Sequence, residues 1–434
     1  MNHSTHTNIE YLAQRLLQRW VGKWYEAFPD PKLGGFYERL SKGFRPRMVG
    51  NRRLLTQCRQ LAIYSHAATT GLIRFKPDLP AIFERMVDKY YVPETGGWRF
   101  SLGDDGNPAD NTYDLYSLTF VIFSLSHYFR ATKDARAKEH ADAMLAFIEK
   151  NFTLPGKPGY AEALDMQLKP INRQRRQNPH MHLLEACLFA EETWPEDAHD
   201  AADVAGAVSY TRMSDKLVDL FYQHFFVPEK NMLCEFFTED LRPDPGNGHR
   251  VEPGHYFEWV WLLKKHAALR GDKTQHDDAC IRLLNWANKN GWDRVYGGIF
   301  DVLTPEGVVL TDTKRIWPFA EALKANALMM DTVDDRDAIK ARMNEMLDVF
   351  RSSYMQERGF WVEWLNRDLS PATDYMPGTT PYHVYFGIME TRAAIHARGD
   401  TVSLRSGVGV TFYTWRRGLS HAFKTTKRKL RLVA

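Results

Sequence analysis

The sequence predicts an all-α protein, an (α/α)6 barrel of twelve helices with short β-hairpins at one end. Three observations lead there. A glycine-aromatic turn recurs six times, an amphipathic stretch of helical period precedes each turn, and a more uniformly apolar stretch follows it. The turns are GGFYERL at 34, GGWRFSL at 96, PGYAEAL at 158, NMLCEFF at 231, GGIFDVL at 297 and RGFWVEW at 358, spaced 62, 62, 73, 66 and 61 residues apart. Self-similarity at such a period marks a repeat architecture, and it has to be read before any single element.

Each element then has its own reason. Glycine permits the tight turn, and the alternating aromatic and polar residues after it predict a short strand or hairpin. The fourth unit lacks the glycine and carries the longest gap. The segments before the turns, such as LPAIFERMVDKYY and DARAKEHADAMLAFIEKNF, place apolar residues at i, i+3, i+4 and i+7 and charges opposite, the pattern of a helix with one buried face. Those after the turns, such as NTYDLYSLTFVIFSLSHYF and PGHYFEWVWLLKKHAAL, are apolar nearly all round and predict buried helices. An inner ring of six buried helices inside an outer ring of six satisfies both patterns. The alternative is an open superhelical stack of helix pairs. A dinucleotide fold is excluded, because no G-x-G-x-x-G follows a strand and no phosphate-loop motif is present.

Composition sets wider bounds. The 434 residues are 44% hydrophobic and 26% charged, as for a soluble globular chain, and no run reaches the length of a membrane span. The N-terminus MNHSTHTNIEYLAQRL has no basic region followed by an apolar one, so no secretion signal is expected. Cys58, Cys187, Cys234 and Cys280 lie far apart and read as free thiols of a reducing compartment; a cytoplasmic location is expected. The net charge is +3, and much of the basic excess falls in the tail TWRRGLSHAFKTTKRKLRLVA. The domain reading is one barrel over 1–400 and a basic, solvated extension over 401–434. Neither a nucleic-acid nor a membrane partner is expected. Aromatic residues make up 13% of the chain, and they suit a core as well as the walls of a sugar site.

Asn178-Pro179, Trp317-Pro318 and Thr380-Pro381 are helix-start signals, so the inner helices point their N-termini toward the hairpin end. Partial positive charge gathers there. The first turns of the six buried segments carry Gln57 and Arg59; Tyr113 and Asp114; His180, His182 and Glu185; His255 and Glu258; Arg315, Trp317 and Glu321; and Tyr382 and His383. One histidine on an apolar helix is ordinarily a core residue. His182, His255 and His383, at matching places in three repeats, point to a shared site. His66, His127 and His266 lie further along their helices and read as structural. Asp114, Glu185 and Glu321 read as groups that orient their neighbours.

Two histidines across a cavity, one fixed by a carboxylate, suit proton abstraction beside a carbonyl, with Arg59 and the helix dipoles holding the charge that develops on oxygen. Open-chain sugars present that chemistry. Three other uses compete: a metal held by the histidines and Glu258, without an H-E-x-x-H spacing to support it; a glycosidase with two opposed carboxylates; and a non-catalytic sugar-binding module.

QCRQLAIY, NPHMHLLEA, EPGHYFEW, WPFAEA and PATDYMPGTTPYHVYFGI together resemble the N-acylglucosamine 2-epimerase superfamily, which includes D-mannose isomerases, mannose 2-epimerases and cellobiose 2-epimerases. The resemblance runs from about residue 10 to 397. It implies the same (α/α)6 barrel, with His255 and His383 as the acid/base pair and His182 binding the sugar and helping to open its ring. It further implies that Arg59 binds hydroxyl and carbonyl oxygens, that Glu258 orients His255 or assists proton movement, and that Trp317 forms a sugar-facing wall. Tyr113 is expected to line the pocket, and Glu321 to stand among the substrate-binding groups. The scheme needs no metal and no cofactor. Asp374-Tyr375 and PGTTPYH look closest to the D-mannose isomerase branch. The expectation is therefore a cofactor-free isomerase of D-mannose and D-fructose acting on a small-molecule monosaccharide, with a sugar 2-epimerase as the alternative.

Overall fold

The computed structural model describes residues 5–195, 209–356 and 359–397. The extension expected over 401–434 lies outside the described residues. Among the described residues, twelve helices alternate between two rings. The outer helices are α1 (Thr5–Arg15, continued by a π-helical Leu16–Trp20 and by Val21–Ala27), α3 (Leu79–Tyr90), α5 (Arg136–Phe152), α7 (Tyr210–Leu220), α9 (Asp277–Asn290) and α11 (Arg336–Val349). The inner ones are α2 (Leu54–Thr69), α4 (Leu115–Thr132), α6 (Asn178–Thr193), α8 (Pro253–Leu269), α10 (Ile316–Met329) and α12 (Pro381–His396). Each inner helix packs on the next, and α12 packs back on α2, so the inner ring closes. This closure excludes the open stack.

The two kinds of helix form for different reasons. In α3, Asp78 caps the N-terminus by accepting from Ala81 N at 3.2 Å, and Pro80 sits in the first turn, where a missing N–H costs nothing. Its buried residues, Leu79, Phe83, Met86 and Tyr90, fall on one stripe; each such side chain contributes about 1.5–3 kcal/mol on burial. In α8 every residue from Pro253 to Leu263 is buried, because both of its faces meet protein.

The hairpins repeat with the helices and stitch the units together. A strand position just ahead of each inner helix pairs with the hairpin of the following unit: Arg52 with Leu102, Tyr113 with Leu164, Arg175 with Phe237, Val251 with Leu303, and Lys314 with Leu365. The sixth, Met376, pairs with Leu40 of the first unit and closes the circle. In the fourth unit Asn231 takes the left-handed conformation (φ 46°) that Gly96 adopts at the matching turn of the second (φ 80°). Asparagine tolerates that region better than other side chains, which explains how the turn survives without its glycine.

Alternate units carry a basic doublet at these strands: Arg52-Arg53, Arg175-Arg176 and Lys314-Arg315. The first member is buried and clamps the unit's own turn. Arg52 pairs with Asp30 at 2.5 Å, Arg175 donates to the carbonyls of Pro158 and Tyr160, and Lys314 pairs with Asp293 at 2.9 Å and donates to Gly297 O. The second member binds an acid on the hairpin: Glu38, Glu162 or Asp301. These doublets hold the mouth of the barrel in register with its helices.

Candidate active site

The strand pairing supplies a common register for the six inner helices. Counting seven residues on from each paired position gives Arg59, Phe120, His182, Glu258, Glu321 and His383. One side chain per helix therefore enters a single layer across the barrel. His182 and His383 share it, with ring centroids 6.4 Å apart. His255 does not. It stands three residues earlier on its helix, about one turn nearer the mouth, so the three histidines occupy two levels.

Each histidine is oriented by a carboxylate. His383 Nδ1 meets Glu321 Oε1 at 2.8 Å, His182 Nδ1 meets Glu185 Oε2 at 2.9 Å, and His255 Nδ1 meets Glu235 Oε2 at 2.9 Å. In all three the Nδ1–H donates, which leaves Nε2 facing away from the carboxylate. Trp317 lies between the two levels, its ring 5.0 Å from His255 and 5.5 Å from His383. It reaches there because residue 254 is glycine. A Cβ on Gly254 would come within 2.4 Å of the indole, so the Pro-Gly at the start of α8 is what lets a tryptophan lie against that helix. Arg59 donates to Tyr116 Oη at 2.7 Å and to Thr379 O at 3.3 Å, and its guanidinium lies 4.2 Å from the Phe120 ring and 4.5 Å from that of Tyr382. These contacts fix it as a cation on the wall of the barrel.

The surroundings push the histidines apart in charge. Burial alone would lower the pKa of His255, but Glu235, Glu252 and Glu258 raise it to about 9. Burial lowers that of His383 to about 4, against the partial opposition of Glu321. Burial also lowers that of His182. One charged and one neutral imidazole beside the same indole form a poised acid and base. Asn178 Nδ2 stands 2.9 Å from His255 Nε2, on the ring edge opposite Glu235.

Within this layer and one turn below it the charge is dense. Glu258 Oε1 is buried without a hydrogen bond, 3.6 Å from His182 Nε2. Burial and the neighbouring Glu321 hold its carboxyl well above the usual carboxylate range. Lys324 pairs with Glu321 Oε2 at 2.5 Å. Glu185 accepts from Tyr382 Oη as well as from His182.

Arg59, His182, Glu258, Trp317, Glu321, His255 and His383 thus converge on one region. Tyr113 does not. It sits on the strand before α4, its hydroxyl is 2.8 Å from Thr95 Oγ1 and its ring packs on Phe147 of the outer layer. Tyr116, three residues on and within the helix, is the tyrosine that faces Arg59. Glu258 does not orient His255; Glu235, from the hairpin, does. Asp114 caps α4 by accepting from Ser117 N. His180 serves the Tyr160 turn, His66 bonds Tyr385 Oη, and His266 joins His276 and Asp215. Sequence reasoning missed Tyr116, Asn178, Glu235 and Lys324. A signal for Glu235 exists: Glu38, Glu162, Glu235, Asp301 and Glu363 recur two residues before the paired hairpin position in five of six units.

Two groups of donor type, His182–Glu185–Glu258 and Glu258–Glu321–His383, have ligand atoms within 4.8 Å of one another. Their donors are already engaged. Glu185 accepts from His182 and Tyr382, Glu321 accepts from His383 and is ion-paired with Lys324, and the carboxyl of Glu258 is held toward its protonated form by burial and Glu321. A divalent cation would have to displace these partners, and the set does not fit one.

An (α/α)6 barrel whose inner helix starts gather histidines, an arginine and an indole is the frame of a sugar isomerase or epimerase. The chain belongs to the N-acylglucosamine 2-epimerase family, whose model matches residues 35–387. It is 28% identical over 403 residues to the mannose-6-phosphate isomerase of Rhizobium meliloti, covering 90% of this chain and 98% of that protein. It is 29% identical over 272 residues to the cellobiose 2-epimerase of Bacteroides fragilis, covering 60% and 66%. A solved D-mannose isomerase superposes with a TM-score of 0.74 at 19% identity, over 89% of this chain and 97% of that one. The protein is an enzyme of the sugar isomerase and epimerase class.

Proposed function

We propose that the enzyme interconverts D-mannose and D-fructose without a cofactor, through an enediol intermediate. The observation that carries this reading is the pair of histidines, each held at Nδ1 by a carboxylate, whose rings lie 5.0 Å and 5.5 Å from the one indole of Trp317. Neutral His383, with Nδ1–H held by Glu321, takes the proton from carbon 2 of the open chain. Charged His255, held by Glu235, donates to the carbonyl oxygen at carbon 1. Arg59 and the inner helix N-termini offset negative charge as it forms on oxygen. Return of a proton to carbon 1, with loss of one from the carbon 2 hydroxyl, gives the ketose. His182 and Trp317 position the sugar, and His182 with Glu258 assists ring opening.

Return of the proton to the opposite face of carbon 2 would give the 2-epimer, and the likeness to a cellobiose 2-epimerase supports that second reading. Incubation with mannose in deuterated water decides between them. Fructose labelled at carbon 1 is the expected product; glucose labelled at carbon 2, without fructose, would replace the isomerase reading by the epimerase one. Mannose 6-phosphate, lyxose, cellobiose and N-acetylmannosamine complete the panel. Turnover of one of these with none of mannose would overturn the assignment of substrate.

A further inference from the structure

Lys324 is buried in the inner ring (3% exposed), one helical turn beyond Glu321 on α10. Lysine is rarely buried to this extent unless paired. Its ammonium lies 2.5 Å from Glu321 Oε2 and 4.3 Å from the Trp261 ring. The other oxygen of the same carboxylate receives His383 Nδ1 at 2.8 Å. One carboxylate therefore joins the cation to the imidazole, one partner on each oxygen.

We propose that Lys324 is a positioning residue for the reaction: by pairing with Oε2 of Glu321 it keeps that carboxylate charged, so that Oε1 holds Nδ1–H of His383 and leaves Nε2 free to take the substrate proton. The charged and titratable groups around the relay make the cation necessary. Glu258 and His255 face it from α8, Glu185 and His182 from α6, Tyr382 and His383 from α12, and Arg59 from α2. Three of these groups, with Glu321 counted, are buried carboxyls. Like charges so placed cannot all ionise, and one or more takes a proton. Burial would push the Glu321 carboxyl up, but Lys324 and His383 hold it at about 2. Burial works against the ammonium too, and Glu321, Glu258 and Glu185 keep it above the ordinary lysine range. Without Lys324, Glu321 gains a proton and can donate its O–H to Nδ1 in place of accepting from it, so that His383 carries its proton on Nε2, where it cannot act as a base.

The inference rests on His383 being the base, and its test separates the two ideas by a readout that needs no substrate. Wild type, Lys324→Met, Lys324→Gln and Lys324→Arg are labelled with 15N-histidine, and the His383 tautomer is read by long-range nitrogen–proton correlation in the free enzyme. The Nδ1–H form is expected in wild type and Lys324→Arg, and the Nε2–H form in Lys324→Met and Lys324→Gln. In turnover, the two neutral variants are expected to lose about 100-fold in kcat, the scale of a lost general base, with KM within about threefold, and to show an acid limb moved to higher pH. Adding Lys324→Met to Glu321→Gln is expected to cost nothing further, since both act on one relay. A folded neutral variant with an unchanged tautomer and pH profile would overturn the proposal. So would a Lys324→Met loss of equal size in the presence and absence of Glu321→Gln, because a merely structural lysine would behave in that way. If wild type turns over no sugar of the panel, the proposed function fails, while the tautomer result still decides the role of Lys324.

Discussion

Glu235 and His255 meet at 2.9 Å, although one stands in the hairpin, between its strand segments Met232–Leu233 and Phe236–Phe237, and the other on the inner helix of the same unit. The carboxylate reaches the ring edge opposite to the one that faces Asn178. Glu235 is therefore what keeps His255 charged near neutral pH, against the effect of burial.

The pH profile follows. His383 must be neutral, so activity is lost as pH falls through about 4; His255 must be charged, so activity is lost as pH rises through about 9. A bell-shaped kcat/KM profile between these limits is expected. Glu235→Gln removes the main support of the imidazolium and should draw the alkaline limb downward while leaving the acid limb in place. An unmoved alkaline limb would refute the role of Glu235.

His255→Ala and His383→Ala are each expected to lower kcat by about two to four orders of magnitude. Circular dichroism should show the same helical content as wild type, because neither ring anchors a helix. Near-normal turnover in either variant would remove that residue from the acid/base pair.

Prolonged incubation with EDTA, followed by assay in metal-free buffer, should leave activity unchanged. The donors that a cation would need are already paired with His182, Tyr382, His383 and Lys324. Loss on chelation with recovery on adding one metal would contradict this.

Asp293→Asn leaves the Lys314 ammonium buried against an uncharged amide. Breaking such a pair costs about 3–5 kcal/mol. A lower urea midpoint is expected, with little change in KM, since Lys314 clamps a turn and does not face the sugar. An unchanged midpoint would show that the clamp is dispensable.

The barrel was legible because its cause is periodic. Six turns, six amphipathic segments and six apolar ones leave few other closed arrangements. The histidines were legible because their helices are otherwise apolar. Tyr113 misled because strand and helix meet at Asp114 and Leu115, and a tyrosine on the strand turns to the outer layer while Tyr116 on the first helical turn faces inward. Glu258 misled for a similar reason. A spacing of three places it on the same face as His255 but a turn deeper, where its neighbour is His182. Glu235 and Lys324 lie far in sequence from the rings they serve, and only the closed ring of helices brings them there.

The pairing of Met376 with Leu40 is joined at the helices by Arg392, which donates to Glu10 at 2.9 Å. The first and last units are thus neighbours like any other two. A circle held in this way has no privileged starting point. Circular permutation that joins the first and last units by a linker and opens the chain between two other units is expected to rebuild the same ring and the same site. Deletion of a whole unit, which an open array would tolerate, would leave the remaining five unable to meet.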